Sequence, residues 1–440
     1  MKGGQRVRRT ERRIPARVPT ASPAAARLAT DAVEPSRAGA TWFAPFAVAW
    51  LCLWTVQLTP TQLLLPLQLN TPDGADGWVL GVVYSGLVFA LGGVAAIIAG
   101  PLAGTLSDRT RSRFGRRRPW MAGGIVVTAV STAVLGLQHT VVGVAVMWVG
   151  VSAGIAVASA AYTALVADQL PAAQRGTASA VIGATQAVGI IVGVGVVIGF
   201  ALTVQQGYLV LAVAILVLGL PTAALLPDEP APLGMAESTG VRRLLSRLWV
   251  NPLAHPDFAW VIVGRVLVNI GNALGTALLL FFLMYGIDDS NAEIDLFVLI
   301  AVYTVFVVAA SFAGGWLSDR LARRKVFVAI AAVFQTASAL LLAGWPSLGT
   351  AMIAAALLGI GYGGFSAVGL ALAADVLPAE EDHAKDLGIV TVAASAPQLL
   401  SPLLGAGLVA ATGGFTLLFT VAAVASLAGA LSVFAVRGAR

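Results

Sequence analysis

The sequence is poor in charge. Only 11% of its 440 residues are Asp, Glu, Lys or Arg, whereas 58% are hydrophobic. A soluble globular protein usually carries about 25% charged residues. The low charge excludes an ordinary soluble domain and predicts a polytopic membrane protein whose surroundings are the lipid bilayer.

Cysteine and histidine are scarce. The single cysteine, Cys52, excludes a disulfide framework within the chain, and its apolar surroundings indicate that it packs. The three histidines fall at predicted loops, and none has the spacing of a metal-ligand set. We therefore expect no metal site and no cofactor.

Long apolar runs recur throughout the chain. A helix needs about 20 apolar residues to cross a bilayer, and it satisfies its own backbone hydrogen bonds there. Twelve runs meet this length and predict an all-α protein in two sets of six: 41–66, 78–104, 120–138, 141–167, 177–201, 207–226, 258–285, 294–316, 326–344, 349–374, 387–410 and 415–436.

Basic residues are absent from every second loop. Of the 27 Lys and Arg residues, 26 lie in the N-terminal tail, in the other set of loops or at the C-terminus. The positive-inside rule places such loops in the cytoplasm. We expect both termini to be cytoplasmic and the protein to lie in the cell (inner) membrane. The same distribution explains a pI near 9.9 without nucleic acid.

The sequence predicts a duplicated six-helix unit. Residues 154–172 and 361–379 are identical at ten of nineteen positions, including Asp168/Asp375. This predicts a disordered basic tail over 1–40, a first half over 41–226, a cytoplasmic central loop over 227–257 and a second half over 258–436. A parallel repeat of this kind is one transporter architecture, and we expect a monomer.

The densest positive charge lies between the second and third spans, in the segment GPLAGTLSDRTRSRFGRRRPW. A shorter copy, GGWLSDRLARRK, follows the eighth span. This pair of G-x3-D-R…R-R loops resembles the signature of the major facilitator superfamily. The longer form is similar to the branch of the sucrose–proton symporters, near the glycoside–pentoside–hexuronide carriers.

The resemblance implies twelve helices around a central cavity that opens alternately to the two sides. It also implies that the charged loops hold the two halves together on the cytoplasmic side. The residues that match this gating motif are Gly104, Asp108, Arg109, Gly115, Arg116, Arg117, Gly315, Asp319, Arg320 and Arg324. Sucrose symporters carry an arginine in the fourth span where this chain has Thr163.

Polar side chains within the spans are the candidates for binding a solute. Arg265, Asn269, Asn272 and Thr276 share one face of the seventh span, and Trp54 and Gln57 share a face of the first. An aromatic face with amide groups suits a sugar ring. The candidates are Trp54, Gln57, Tyr162, Thr163, Gln186, Arg265, Asn269, Asn272, Tyr362 and Gln398.

The predicted function is therefore transport of a small neutral, hydroxylated solute, a sugar or glycoside, and not an enzymatic reaction. Proton coupling would require Asp168 or Asp375 to titrate, whereas facilitated diffusion needs no such group; the sequence leaves both open. Pro60 and Pro66 predict a bend in the first span.

Two other functions are compatible with the sequence. An exporter of drugs or other amphiphiles within the same superfamily would usually carry G-x-x-x-G-P-x-x-G-G in the fifth span, and residues 183–199 lack its proline. A membrane enzyme that binds a diphosphate through a divalent cation could use the cluster DDSNAEID at 288–295. That cluster has no partner cluster and is also explained as a solvated external loop.

Overall fold

The computed structural model describes residues 37–71, 77–228, 256–321, 323–375 and 383–436, and the secondary structure of these residues is helical. The predicted tail and most of the predicted central loop lie outside them. In chain order the helices are α1 Ala40–Leu69, α2 Gly77–Arg109, α3 Arg118–Leu135, α4 Val141–Gln169, α5 Ala172–Gly199 and α6 Val204–Leu225. They continue as α7 Pro256–Ala277, α8 Ala292–Leu321, α9 Arg324–Gly344, α10 Leu348–Asp375, α11 His383–Thr412 and α12 Thr416–Phe434.

These helices confirm the predicted all-α, twelve-helix fold. Eleven of the described helices are long and apolar enough to cross a membrane, and α11 contains a shorter apolar segment, Leu400–Thr412. Large apolar side chains such as Leu91, Ile98 and Val305 are exposed on the bundle. Such exposure suits contact with lipid, because the bilayer solvates apolar side chains.

The packing of the helices repeats in the two halves. In the first half α2 packs on α4, α3 on α4, and α1 on α5; in the second, α8 packs on α10, α9 on α10, and α7 on α11. The same crossing is built from small residues in both halves: Gly124 approaches Gly154, and Ala331 approaches Gly361 at positions 207 residues later. Small residues at a crossing let two helix backbones approach closely.

Three π-helical turns occur among the described residues, and one of them, Ile215–Gly219, lies within α6. Within α1, Pro60–Leu64 forms a π-helical turn, at the place where Pro60 predicts a bend. Beyond α7, the chain breaks at Leu278 and continues as Leu279–Phe281 and a π-helical turn, Phe282–Gly286. Single π-helical turns often mark functional positions.

The two ends of the bundle differ in chemistry. At the basic end α2, α4 and α6 finish and α3 begins, and the arginine-rich loop lies there. At the opposite end α1 and α3 finish, where Gln68 donates to the carbonyl groups of Leu135 and Gln138. The terms basic end and opposite end are used below in this sense.

Candidate functional site: a central cavity and a charged end

A cavity of about 640 Å³ lies between the two halves. Residues from α1, α2, α4 and α5 form one wall, and residues from α7 to α11 form the other. In the described part of the chain, no Asp, Glu, Lys, Arg or His lines it. Its chemistry is therefore that of aromatic rings, hydroxyl groups and side-chain amides.

Six aromatic side chains contribute to the cavity wall. Trp50 and Trp54 lie with ring centroids 5.9 Å apart in α1, and Tyr303 and Tyr362 lie with centroids 6.4 Å apart in α8 and α10. Trp148 of α4 also lines the cavity. Flat aromatic faces of this kind pack against the apolar faces of a ring-shaped ligand.

Amide groups from four helices reach the same cavity. The Tyr303 hydroxyl donates to Oδ1 of Asn272 at 3.1 Å, which orients that amide. Gln57, Gln186 and Gln398 also line the cavity. An amide both donates and accepts hydrogen bonds, so this arrangement can bind several hydroxyl groups of one ligand.

The structure brings six of the ten predicted solute-binding residues together. Trp54, Gln57, Gln186, Asn272, Tyr362 and Gln398 all line the cavity. The sequence analysis did not single out Trp148 and Tyr303. Trp148 shares one face of α4 with the cavity residues Ser152 and Ser159, so the polar face of α4 was the available signal.

The other four predicted residues do not line the cavity. Tyr162 is fully buried, and its hydroxyl forms a hydrogen bond of 2.6 Å with Thr222 of α6. Asn269 is buried and donates to the backbone carbonyl of Arg265. Thr163 is exposed one turn towards the basic end from the cavity residue Ser159.

Arg265 lies beside the cavity rather than in its wall. Its guanidinium carbon is 5.9 Å from the centroid of the Phe365 ring. Its Nε and Nη1 atoms are buried and have no hydrogen-bond partner among the described residues. The side chain therefore lies against α10 instead of joining Asn272 and Thr276 in the cavity lining.

At the basic end, one buried arginine joins the ends of two helices. Nη2 of Arg117 lies 2.6 Å from Oδ1 of Asp108, and its Nε donates to Oδ2 of Asp168 at 3.2 Å. Nη1 donates to Ser107 at 2.6 Å, and Arg116 donates to the same Asp168 oxygen at 2.5 Å. Asp168, a candidate for proton coupling, is thus held by two arginines and does not line the cavity.

A second carboxylate, from Asp228, caps α3. Its Oδ2 atom accepts from the backbone N–H groups of Arg117 and Arg118 at 2.6 and 2.8 Å. Gly115 makes room for it, since a Cβ at that position would overlap the Asp228 carboxylate. Gly115 also has φ +109°, a conformation that favours glycine.

The remaining residues of the predicted gating motif differ in their surroundings. Arg109 is exposed, and a Cβ at Gly104 would meet no atom within 4 Å. At Gly315 a Cβ would lie 3.9 Å from the Ala367 side chain, an ordinary contact. Arg320 lies over the Trp316 ring at 5.4 Å.

The charged loop of the second half partly repeats these contacts. Arg118 donates to the carbonyl groups of Ala224 and Leu226, and Lys325 donates to that of Val436, so each ties the first turn of one helix to the end of another. Arg324 donates to the Ala371 carbonyl at 3.1 Å. Asp319 and Asp375 lie at the ends of α8 and α10, and their side chains lie outside the described part of the chain.

The ion pairs of the basic end differ from the expectation that they join the two halves. Among the described residues, the ion pairs of Asp108, Asp168, Arg116 and Arg117 connect elements of the first half only. The reason is local: the loop after α2 folds back over the ends of α2 and α4. The cavity residue Gln186, midway along α5, is exposed.

Comparison with known proteins identifies the family. The sequence profile of the Major Facilitator Superfamily matches residues 83–292 and 266–439, once in each half and over well more than half of the chain. The chain belongs to the Major Facilitator Superfamily. Members of this superfamily are transporters, so the prediction of a transporter and not an enzyme is confirmed.

Solved structures of other transporters have the same fold. A POT peptide transporter aligns with a TM-score of 0.67 and 15% identity over 89% of this chain and 94% of its own. A D-xylose–proton symporter aligns with a TM-score of 0.64 and 15% identity over 89% and 96%. A bacterial homologue of the human lysosomal transporter Spinster, inward-facing and unoccupied, aligns with 0.60 and 16% over 90% and 94%.

A short segment is also similar to a curated relative. Over 46 residues the chain is 50% identical to an uncharacterized symporter of Synechocystis sp., and the match covers 10% of this chain and 8% of that protein. The sequence profile shows the superfamily, and the solved structures show the fold. The substrate must be inferred from the cavity of this chain.

Proposed function

We propose that this superfamily member moves a small neutral, hydroxylated solute, a sugar or glycoside, across the cell membrane by alternating access. The observation that carries the proposal is the central cavity, whose described lining is uncharged and places six aromatic and five amide side chains among small and aliphatic residues. A neutral polyhydroxy ligand needs hydrogen-bond partners and flat apolar surfaces but no counter-ion. The loop similarity to the sucrose-symporter branch supports the same substrate class.

We assign the solute contacts to the residues that meet in the cavity. The indole faces of Trp50 and Trp54 would pack against the ring of the solute, and Gln57, Gln186 and Asn272 would bind its hydroxyl groups. Gln398 and Tyr362 would complete the opposite wall. Arg265 would act from beside the cavity, where its guanidinium group lies over the Phe365 ring of α10.

Peptides are a poorer fit to this cavity, although a peptide transporter shares the fold. A free peptide carries a charged terminus at each end, and charged groups bind best to groups of opposite charge. The described cavity lining offers none. Transporters of different substrates share this fold. The substrate class is therefore inferred from the side chains that line the cavity.

Coupling to protons would require a carboxylate at the basic end. Every acidic residue near a span lies at the end of that span, which leaves Asp168 and Asp375 as the candidates. Asp168 already accepts hydrogen bonds from two arginines. Transport of the labelled solute into proteoliposomes with and without a pH gradient separates symport from facilitated diffusion.

The substrate class can be tested by binding to the purified protein. We expect neutral mono- and disaccharides to raise the thermal unfolding temperature, and Gln57→Ala or Gln186→Ala to weaken binding of the responding sugar about tenfold, since each removes hydrogen bonds to the ligand. Gln205→Ala is the matched control, because Gln205 is exposed on α6 outside the cavity.

One alternative has a clear signature in the same assay. An aromatic cavity also suits lipophilic amphiphiles, which would stabilise the protein while sugars had no effect. That outcome would overturn the sugar proposal and favour the exporter. Equal sugar affinities for the Gln57 and Gln205 variants would instead contradict the assignment of Gln57 to the binding site.

A further inference from the structure

Contacts between the two halves concentrate at the opposite end of the bundle. The Tyr285 hydroxyl, beyond α7, donates to Oδ1 of Asn70 at the end of α1, at 2.8 Å. Trp78, in the first turn of α2, contacts two rings of the second half. The hydrogen bonds, ion pairs and ring contacts that join described residues of the two halves all lie at this end.

Trp78 lies between two aromatic rings. Its ring is 5.0 Å from that of Tyr285 with an interplanar angle of 15°, and 5.5 Å from that of Phe415 with an angle of 19°. Near-parallel rings at this separation attract each other beyond the effect of burying their area. We name Trp78, Tyr285 and Phe415 the aromatic clasp.

The second half holds its side of the clasp in place by itself. Phe282 packs edge-on against Phe415 at 5.6 Å and against Phe419 at 4.9 Å, and Phe281 lies 6.5 Å from Tyr285. Phe281, Phe282 and Phe419 are fully buried, whereas Trp78 is only half-buried. The second half therefore supplies the two outer rings, Tyr285 and Phe415, and the first half supplies the Trp78 ring that lies between them.

The chain on both sides of the clasp is built to bend. Asn70 follows the π-helical turn Pro60–Leu64, and Tyr285 lies within the π-helical turn Phe282–Gly286. Pro60 lacks an N–H group, and the Thr61 hydroxyl donates to the carbonyl groups of Gln57 and Leu58 at 3.1 and 2.9 Å. Because the Thr61 hydroxyl takes the place of missing backbone N–H donors, α1 can bend at this point without leaving these carbonyl groups unpaired.

The geometry points to the aromatic clasp as the device that shuts the opposite end of the cavity. Withdrawal of Trp78 from between Tyr285 and Phe415, with loss of the Asn70–Tyr285 hydrogen bond, opens that end. The inference requires alternating access but not a particular solute. The clasp residues lie outside the cavity lining, so they set the balance between the two states without contacting the solute.

The test measures access to the cavity from the opposite end without any solute. A single cysteine is introduced at Gln62, which lines the cavity within the π-helical turn of α1, in the Cys52→Ala background. A membrane-impermeant thiol reagent is applied to proteoliposomes from either side. A second preparation with a cysteine at the exposed Arg113 of the arginine-rich loop reports which side is the basic end.

We expect Trp78→Ala to raise the labelling rate from the opposite end about tenfold, because two stacked ring pairs are lost. Trp345→Ala is the matched control, since Trp345 is 70% exposed at the end of α9 and its ring is not among those that pack on the clasp in the described part of the chain. It should leave the rate unchanged. Tyr285→Phe removes only the hydroxyl and should raise the rate by a smaller factor.

Equal labelling rates for Trp78→Ala and Trp345→Ala would overturn the inference. If Trp78→Ala does not yield folded protein, Phe415→Leu and Tyr285→Phe decide the question, and unchanged rates in both reject the clasp. Because the readout contains no sugar, failure of the sugar proposal leaves this result intact, and failure of the clasp leaves sugar binding intact.

Discussion

At the scale of single residues, Arg117 shows how one side chain can organise a helix end. Its side chain is 6% exposed and contacts Asp108, Asp168 and Ser107. A buried guanidinium presents several donors in a fixed geometry, which suits two carboxylates at once. By comparison, Arg116 is 24% exposed and pairs with Asp168 but not with Asp108 among the described residues.

Replacement of Arg117 by Ala should lower the free energy of unfolding by about 1.5–3 kcal/mol, because the partly exposed carboxylates of Asp108 and Asp168 lose hydrogen bonds to a buried charged partner. Thermal unfolding of the purified protein measures the change. Arg113→Ala is the control, since Arg113 is exposed and, among the described residues, its charged group contacts the neighbouring Phe114 ring alone. Similar unfolding temperatures for the two variants would contradict this account of Arg117.

The two glycines of the motif should also differ. Gly115→Ala should destabilise the protein, because a Cβ there overlaps the Asp228 carboxylate and the backbone has φ +109°. Gly104→Ala should leave the unfolding temperature nearly unchanged, since a Cβ there meets no atom within 4 Å. The paired unfolding curves check both expectations, and the reverse order of stability would contradict them.

At the scale of elements, α3 depends on a carboxylate from a distant part of the sequence. Asp228 follows α6 and caps the first N–H groups of α3. The first N–H groups of a helix have no partner within the helix, and a carboxylate at this end is also favoured by the helix dipole. The end of the first half is thereby attached to the arginine-rich loop.

Removal of this cap by Asp228→Ala should cost about 1–2 kcal/mol of stability. Asp228→Asn should recover part of the loss, because an amide oxygen still accepts a hydrogen bond. Glu293→Gln, at an exposed position in the first turn of α8, controls for the loss of one negative charge. The thermal unfolding curves of the native protein and of the three variants are compared at two salt concentrations. An Asp228→Ala curve that matches the native curve would argue against the cap.

At the scale of the whole molecule, the described hydrogen bond and ring contacts between the halves lie at the opposite end, and we infer that they shut the cavity there. Alternating access requires a second state in which these relations are exchanged. The two states differ in contacts between halves, whereas the ion pairs of Arg117 lie within one half and can persist in both.

This conformation predicts a direction of access. A cysteine at Gln186, which is exposed and lines the cavity, should react with an impermeant thiol reagent from the basic end faster than from the opposite end when no solute is present. The native Cys52 is buried and should contribute little background. Faster reaction from the opposite end would mean that the described conformation is a minor one in the membrane.

The sequence analysis and the structure agree most closely where local composition decides the outcome. Apolar runs long enough to span a bilayer must form helices there, so the twelve-helix fold follows from the chain itself. The same holds for the bend at Pro60, because proline cannot supply an N–H group. The position of the basic loops relative to the cytoplasm stays a prediction.

The agreement is weaker for residues whose role depends on how helices are rotated and packed. Tyr162 and Tyr362 both lie in the equivalent fourth helix of a half, yet Tyr162 packs against α6 and Tyr362 faces the cavity. Spacing along one helix cannot tell which face meets a neighbour. Arg265 likewise shares a face with Asn272 in sequence but lies against Phe365.

The amino-acid sequence by itself therefore determined the membrane-spanning helices, the duplication and the superfamily, because each depends on composition or on motifs within a short stretch. Only the tertiary structure decided which polar residues line the cavity, which carboxylates Arg117 binds and which rings close the opposite end. The physical reason is that these contacts join residues far apart in the chain, such as Trp78 and Phe415. Such pairs are set by the packing of whole helices rather than by any local pattern.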